Sequence, residues 1–265
     1  MSAAPRALRS SRSIRAVALG TAIVAAFVAA LAGLRASAEG DRRNGITIAY
    51  FDGSYARDFH VHARLALPAA TANRDWYTDW IMLVARREDD LGQPFVQVGL
   101  MRWKRHNFRL SSFIAYGRDA ATMTYEDIAL VGEGTHVVEL IGRGDVVEAS
   151  VDGAVVRRIP RARLFAPDDV AYVQVAAEVF APGDVATGRI GELRVASSGG
   201  ALEPATPRCF REDRGLRLAW DGGWLHASGR FDLDAPSSFT GCDDFRYGDD
   251  PPDTATSRRS ARSLP

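Results

Sequence analysis

Between residues 45 and 198 this chain has no segment with a sustained 3.6-residue apolar period; short runs rich in Val, Ile, Phe and Tyr are instead cut apart by Gly, Pro, Asp and Asn. A helix needs that period to bury one stripe of its surface, whereas a short β run with breakers at both ends needs only a neighbouring run to pair with. The spacing predicts strands at 45–51, 59–67, 76–86, 95–103, 108–116, 125–130, 136–141, 146–151, 154–159, 172–180 and 189–195. About eleven strands in roughly 155 residues is the density of a sandwich. The sharpest local signal is Asp152-Gly153 between two β runs, because the favoured two-residue hairpin turn needs positive φ at both positions. The expected fold is all-β, an antiparallel jelly-roll sandwich.

Two of these runs alternate cleanly. Val96, Val98 and Leu100 point one way while Gln97, Gly99 and Met101 point the other; Val173, Val175, Ala177 and Val179 likewise oppose Gln174, Ala176 and Glu178. One face of each strand is core. The other face would either line a concave groove in which Gln97, Gln174 and Glu178 meet, or be the solvated side of an antiparallel sheet.

The ends read differently from the middle. Arg6, Arg9, Arg12 and Arg15 precede an uncharged apolar stretch at 16–34, and Ala36-Ser37-Ala38 then offers the small-x-small pattern of signal cleavage. Residues 1–38 are therefore expected to be a signal peptide cleaved after Ala38, or else a retained anchor, since 19 residues can span a bilayer. Without the five arginines of this segment the rest of the chain has 28 basic and 33 acidic residues, a net charge of −5. That balance gives no support for nucleic-acid binding. Membrane contact is expected only through the N-terminal segment.

Cys209 and Cys242 are the only cysteines, and in an exported chain such a pair is expected to form a structural disulfide. Before Cys209 the composition turns linker-like, with Ser197-Ser198-Gly199-Gly200, Pro204 and Pro207. Runs at 216–220 and 224–231, joined by Asp221-Gly222-Gly223, read as a further hairpin bracketed by the two cysteines. The expected division is a sandwich at 39–198, a disulfide-stapled extension packed on it at 199–247, and a disordered tail at 248–265, where Pro, Asp, Ser and Arg dominate.

Three pieces carry a resemblance to a known family. Phe95-Val96-Gln97-Val98-Gly99, then 136–140 leading through Val147-Glu148-Ala149-Ser150-Val151-Asp152-Gly153, and finally 173–179, in that order, resemble the concanavalin A-like lectin and glucanase superfold. The resemblance implies a jelly roll and, for function, a module that binds a glycan or another extracellular polymer. A narrower similarity is to the glutamic peptidases, or eqolisins, which use a Gln and a Glu on neighbouring strands of one sheet. It implies Gln97 as the amide that stabilises an oxyanion, Glu178 as the general base on water, and Tyr116 as a substrate contact. The tryptophan-rich motif of those enzymes is missing beside Tyr116. The E-x-D-x-x-E strand of laminarinase-type glycosidases is also absent, leaving Glu139 and Glu148 as a looser carboxyl pair. If the module is non-catalytic, Gln97, Trp103, Tyr116, Gln174 and Glu178 are its expected ligand contacts.

Other constellations carry less. His60 and His62 share a strand face and would suit a metal, but the sequence shows no third ligand. Asp89-Asp90, Asp168-Asp169 and Asp243-Asp244 are loop acids without the spacing of a calcium loop. Arg102-Trp103-Lys104-Arg105-His106 is one compact basic and aromatic patch at a strand end. No phosphate loop, G-x-S-x-G or Ser-His-Asp set is present, and neither a cofactor nor a metal is expected.

Overall fold

The computed structural model describes residues 44–51, 58–68, 77–86, 94–117, 123–165, 172–197 and 200–242. The acid pairs at 89–90, 168–169 and 243–244, the N-terminal segment and the tail lie outside these residues, and no described helix is long and apolar enough to cross a membrane.

The strands expected from the alternation all form, with ends shifted by no more than two residues. They are β1 (Gly45–Tyr50), β2 (Phe59–Ala66), β3 (Tyr77–Arg86), β4 (Phe95–Trp103), β5 (Leu110–Gly117), β6 (Thr124–Leu130), β7 (Thr135–Arg143), β8 (Val146–Val151), β9 (Ala154–Pro160), β10 (Tyr172–Val179) and β11 (Arg189–Ser197). β5 starts late because Asn107 and Phe108 take positive φ after the short 3-10 turn Lys104–His106. Asp152 and Gly153 both have positive φ, and Val151 pairs with Ala154 across them, so β8 and β9 are joined by the hairpin that Asp-Gly favours.

The strands form two antiparallel sheets. Strands β12 (Glu203–Pro204), β13 (Cys209–Glu212), β14 (Arg217–Asp221), β15 (Trp224–Ser228) and β16 (Ser238–Thr240) complete them. The first sheet runs β16-β13-β1-β10-β3-β4-β5-β6; the second runs β14-β15-β11-β2-β7-β8-β9, with β12 also paired to β11. Between the sheets lies the main core, in which Val96, Val98 and Leu100 of β4 and Val173, Val175, Ala177 and Val179 of β10 meet Val61, Leu65, Val138, Leu140 and Ile190 of the second sheet.

Cys209 and Cys242 are disulfide-bonded. The extension they staple is more integrated than a hairpin laid on the surface: β13 and β16 continue the first sheet beyond β1, whereas β14 and β15 continue the second beyond β11. Leu216, Leu218, Leu225 and Phe231 accordingly belong to the main core. Without this strap β1 and β11 would each present an open row of backbone donors and acceptors, which natural sheets avoid leaving bare.

Candidate functional site

The face of the first sheet turned away from the main core carries the candidate residues, and its pairing register fixes where each stands. One row across this face reads Cys209, Tyr50, Gln174, Val84, Gln97, Ala115. The next contains Arg211, Ile48, Ala176, Met82, Gly99 and Phe113. In the third, Ile46, Glu178, Trp80, Met101 and Ser111 lie opposite one another, and the Asp213 carboxylate accepts the Ile46 N–H at 3.0 Å. Gly99 has room for no side chain: an added Cβ would come within 2.0 Å of the Ile81 carbonyl oxygen.

Gln97 and Gln174 thus share a row, with Val84 between them. Gln97 and Glu178 do not: they are four residues apart along the strands and two strands apart across them, about 13 Å by about 10 Å at standard spacings. A Gln97 amide and a Glu178 carboxyl so placed do not reach one bound water. The strand alternation put these residues on one face correctly; only the register, set through β3, shows which of them are neighbours.

The face is neither an open groove nor a solvated side. Gln97 is 6% exposed, Gln174 0% and Glu178 4%. They lie in a second apolar cluster of Ile46, Ile48, Tyr50, Trp80, Met82, Val84, Met101, Trp103 and Phe113, and the Cys209–Cys242 disulfide packs against it. The rings at its centre are in contact: Trp80 lies 4.4 Å from Phe113 and 5.9 Å from Tyr125 between centroids.

Glu178 is the most perturbed acid of the face. Burial pushes its carboxyl up to about 8; Asn44 Nδ2, donating to Oε1 at 3.2 Å, pulls against the rise, and the Asp213 charge adds to it. Glu178 is therefore largely protonated at neutral pH.

Two other expected contacts are placed differently. Tyr116 pairs with Val96 and faces the main core, on the opposite side of the sheet from Gln97; its hydroxyl donates to Glu126 at 3.3 Å. Trp103 shares the face of Gln97 but is buried, with the Arg105 guanidinium 5.3 Å from its ring centroid. The basic patch is divided in the same way. Arg102 is enclosed, donating to Glu133 and to the carbonyls of Leu67, Pro68 and Phe108, which leaves only Lys104 and Arg105 of that run exposed. Burial of the bulky and planar side chains follows from alternation: in β4 both faces are covered, so even its polar positions are interior.

On the outer face of the second sheet, His60 Nε2 and His62 Nδ1 lie 2.9 and 3.3 Å from the same oxygen of Glu139, and Ser150 donates to the other oxygen at 3.0 Å. Burial pushes Glu139 up, but the hydrogen bonds from His60, His62 and Ser150 together outweigh it and hold the carboxyl below its usual range. The histidines find a shared carboxylate partner, and among the described residues no group of three or more His, Cys, Asp or Glu is arranged as a metal centre. Glu148 stands opposite Ile141, diagonal to Glu139 on the same outer face, and accepts from Arg158 at 2.6 Å.

No family model and no curated protein matches the chain. Among solved structures it resembles SCP-B, a member of the eqolisin family of peptidases, at 12% identity and a TM-score of 0.46, over 70% of this chain and 97% of that one. It also resembles a glycoside hydrolase family 16 endo-glucanase from Bacteroides ovatus, at 14% identity and a TM-score of 0.35, over 51% of this chain and 67% of that one. The carbohydrate-binding module CBM66 from Bacillus subtilis is similar at 13% identity and a TM-score of 0.34, over 52% of this chain and 79% of that one. At scores below 0.5 these likenesses do not bear on ligand or activity. What the strand pairing itself defines is an antiparallel β-sandwich of two large sheets.

Proposed function

We propose that this protein is an exported, non-catalytic module that binds an extracellular polymer, a glycan before others, through the Gln97 and Gln174 amides, which a ligand reaches by displacing part of the apolar cluster that covers them. The observation that carries the reading is the composition of that row. It holds two amides and no carboxyl, while the Glu178 carboxyl stands two rows away against Asn44. Amides fix hydroxyl pairs by donating and accepting at once, but neither takes a proton from water as a general base does. The disulfide suits an oxidising compartment outside the cytosol. Complete burial of the row favours a second reading, in which the face is a second core and the chain is a structural domain of the cell envelope.

A glycan array and an acid-pH peptide-cleavage screen on the purified exported protein, repeated with Gln97→Ala and Gln174→Ala, separate these readings. The module predicts binding without turnover and a loss of about tenfold or more in each variant, the cost of one unmet hydrogen-bonding partner. Peptide turnover abolished by Glu178→Gln would sink it in favour of a hydrolase. Silence in both screens from a folded protein would leave the structural domain.

A further inference from the structure

We infer that the β13–β16 edge of the first sheet is a latch that opens as pH rises, governed by the buried Glu178 carboxyl and the Asp213 carboxyl that flank β1. The idea is independent of what the amide row binds.

The attachment is narrow, and one acid takes part in it on both strands of the ribbon. β13 meets β1 through only three residue pairs, Ile48 with Arg211, Ala49 with Phe210 and Tyr50 with Cys209. Beyond them the Thr47 hydroxyl donates to the Arg211 carbonyl at 2.8 Å and the Arg208 N–H to the Tyr50 carbonyl at 3.1 Å, and Asp213 adds a charged joint: Oδ2 accepts the Ile46 N–H at 3.0 Å, and Oδ1 accepts the Ser237 hydroxyl at 2.5 Å, just before β16. One carboxyl therefore ties β1 to both strands of the strap edge. Glu178 pairs with Ile46 from the other side of β1.

The surroundings of Glu178 leave its negative charge poorly compensated. β1 contributes the neutral Asn44 amide and apolar Ile46, and β3 contributes Trp80. Asp79, beside Trp80, accepts the Thr187 hydroxyl. The end of β13 brings Asp213, and Arg211 stands one row further, opposite Ile48. A proton on Glu178 keeps this pocket neutral on its own side. Its loss places a second negative charge near Asp213 in a dry site, and the strain is relieved by peeling the β13–β16 ribbon from β1 so that water reaches both carboxyls. With burial holding Glu178 near 8 in the closed state, and an ordinary carboxylate value in the open one, opening is favoured about tenfold per pH unit from roughly pH 5 to 8 and levels off above.

Cys209 and Cys242 report the opening, because both are buried when the ribbon is closed. The test is the rate at which a phosphine reductant cleaves this disulfide in the exported protein between pH 5 and 9, normalised to a small disulfide peptide. The rate should climb with pH towards 8 and then flatten, and Glu178→Gln should remove the climb. Hydrogen exchange at β8, corrected for its intrinsic pH dependence, should not follow it. An unchanged climb in Glu178→Gln overturns the latch, and so does equal acceleration of β8, which would mean whole-domain unfolding. Should that variant fail to fold, Asp213→Asn must move the plateau to lower pH; an unmoved plateau overturns the latch as well.

Discussion

Gln174 and Glu178 stand four positions apart on β10 and face the same way, yet they are chemically in different places. An amide in a dry site carries no charge at any pH, whereas a carboxyl there couples stability to protons. Glu178 has a folded value of about 8 against an ordinary 4.5, so between those values the folded state holds more protons than the unfolded one. Stability must therefore fall as pH rises through that window, by up to about 1.4 kcal/mol per unit, and stay low above it. Urea midpoints at pH 5, 7 and 9 should decline in the native protein and stay nearly level in Glu178→Gln, and parallel declines would show that another group is responsible. Alternation in the sequence was enough to put Gln97, Gln174 and Glu178 on one face. It did not place Tyr116, since the face a residue takes on β5 depends on its pairing with β4, and no local pattern in residues 110–117 states that pairing. Burial of the polar positions was illegible for a similar reason, because a period of two reads the same whether the second face meets water or a second apolar cluster.

At the scale of elements, long alternating strands and the Asp-Gly turn were legible, while β12, β13 and β16 were not. These three have two, four and three residues, too few to display a period, and they owe their pairing to the edges they cover. The β8–β9 turn is tied down beyond its own dihedrals: Asp152 accepts the Val137 N–H at 2.9 Å and pairs with His136 at 2.7 Å, so it docks the hairpin on β7. Gly153 has φ of 77°, a region that costs a residue with a Cβ about 1–2 kcal/mol. Gly153→Ala should lower stability by that amount. Gly132→Ala is the matched control, since Gly132 has ordinary φ and nothing within 4 Å of an added Cβ. Equal denaturation midpoints for the two variants would contradict the turn assignment.

For the whole molecule the decisive feature is that one segment of chain, 200–242, closes both sheets. Its linker-like start and single disulfide suggested an appendage, because neither composition nor spacing says which strand edges lie within reach. In the folded chain β13 and β16 border β1 while Leu216, Leu218 and Leu225 fill the main core, so the strap shares both the sheets and the core of the sandwich. The disulfide joins cysteines 33 residues apart. Chain entropy alone assigns such a link about 4 kcal/mol, a large share of the roughly 5–15 kcal/mol of a typical domain. The double variant Cys209→Ala with Cys242→Ala should therefore lose about 2–4 kcal/mol. If the strap is integral, hydrogen exchange at the β1 amides of the first sheet and the β11 amides of the second should be accelerated together. Acceleration confined to 200–242, with both sheets still protected at their original level, would return the strap to the status of an appendage and leave residues 44–197 as a self-sufficient sandwich.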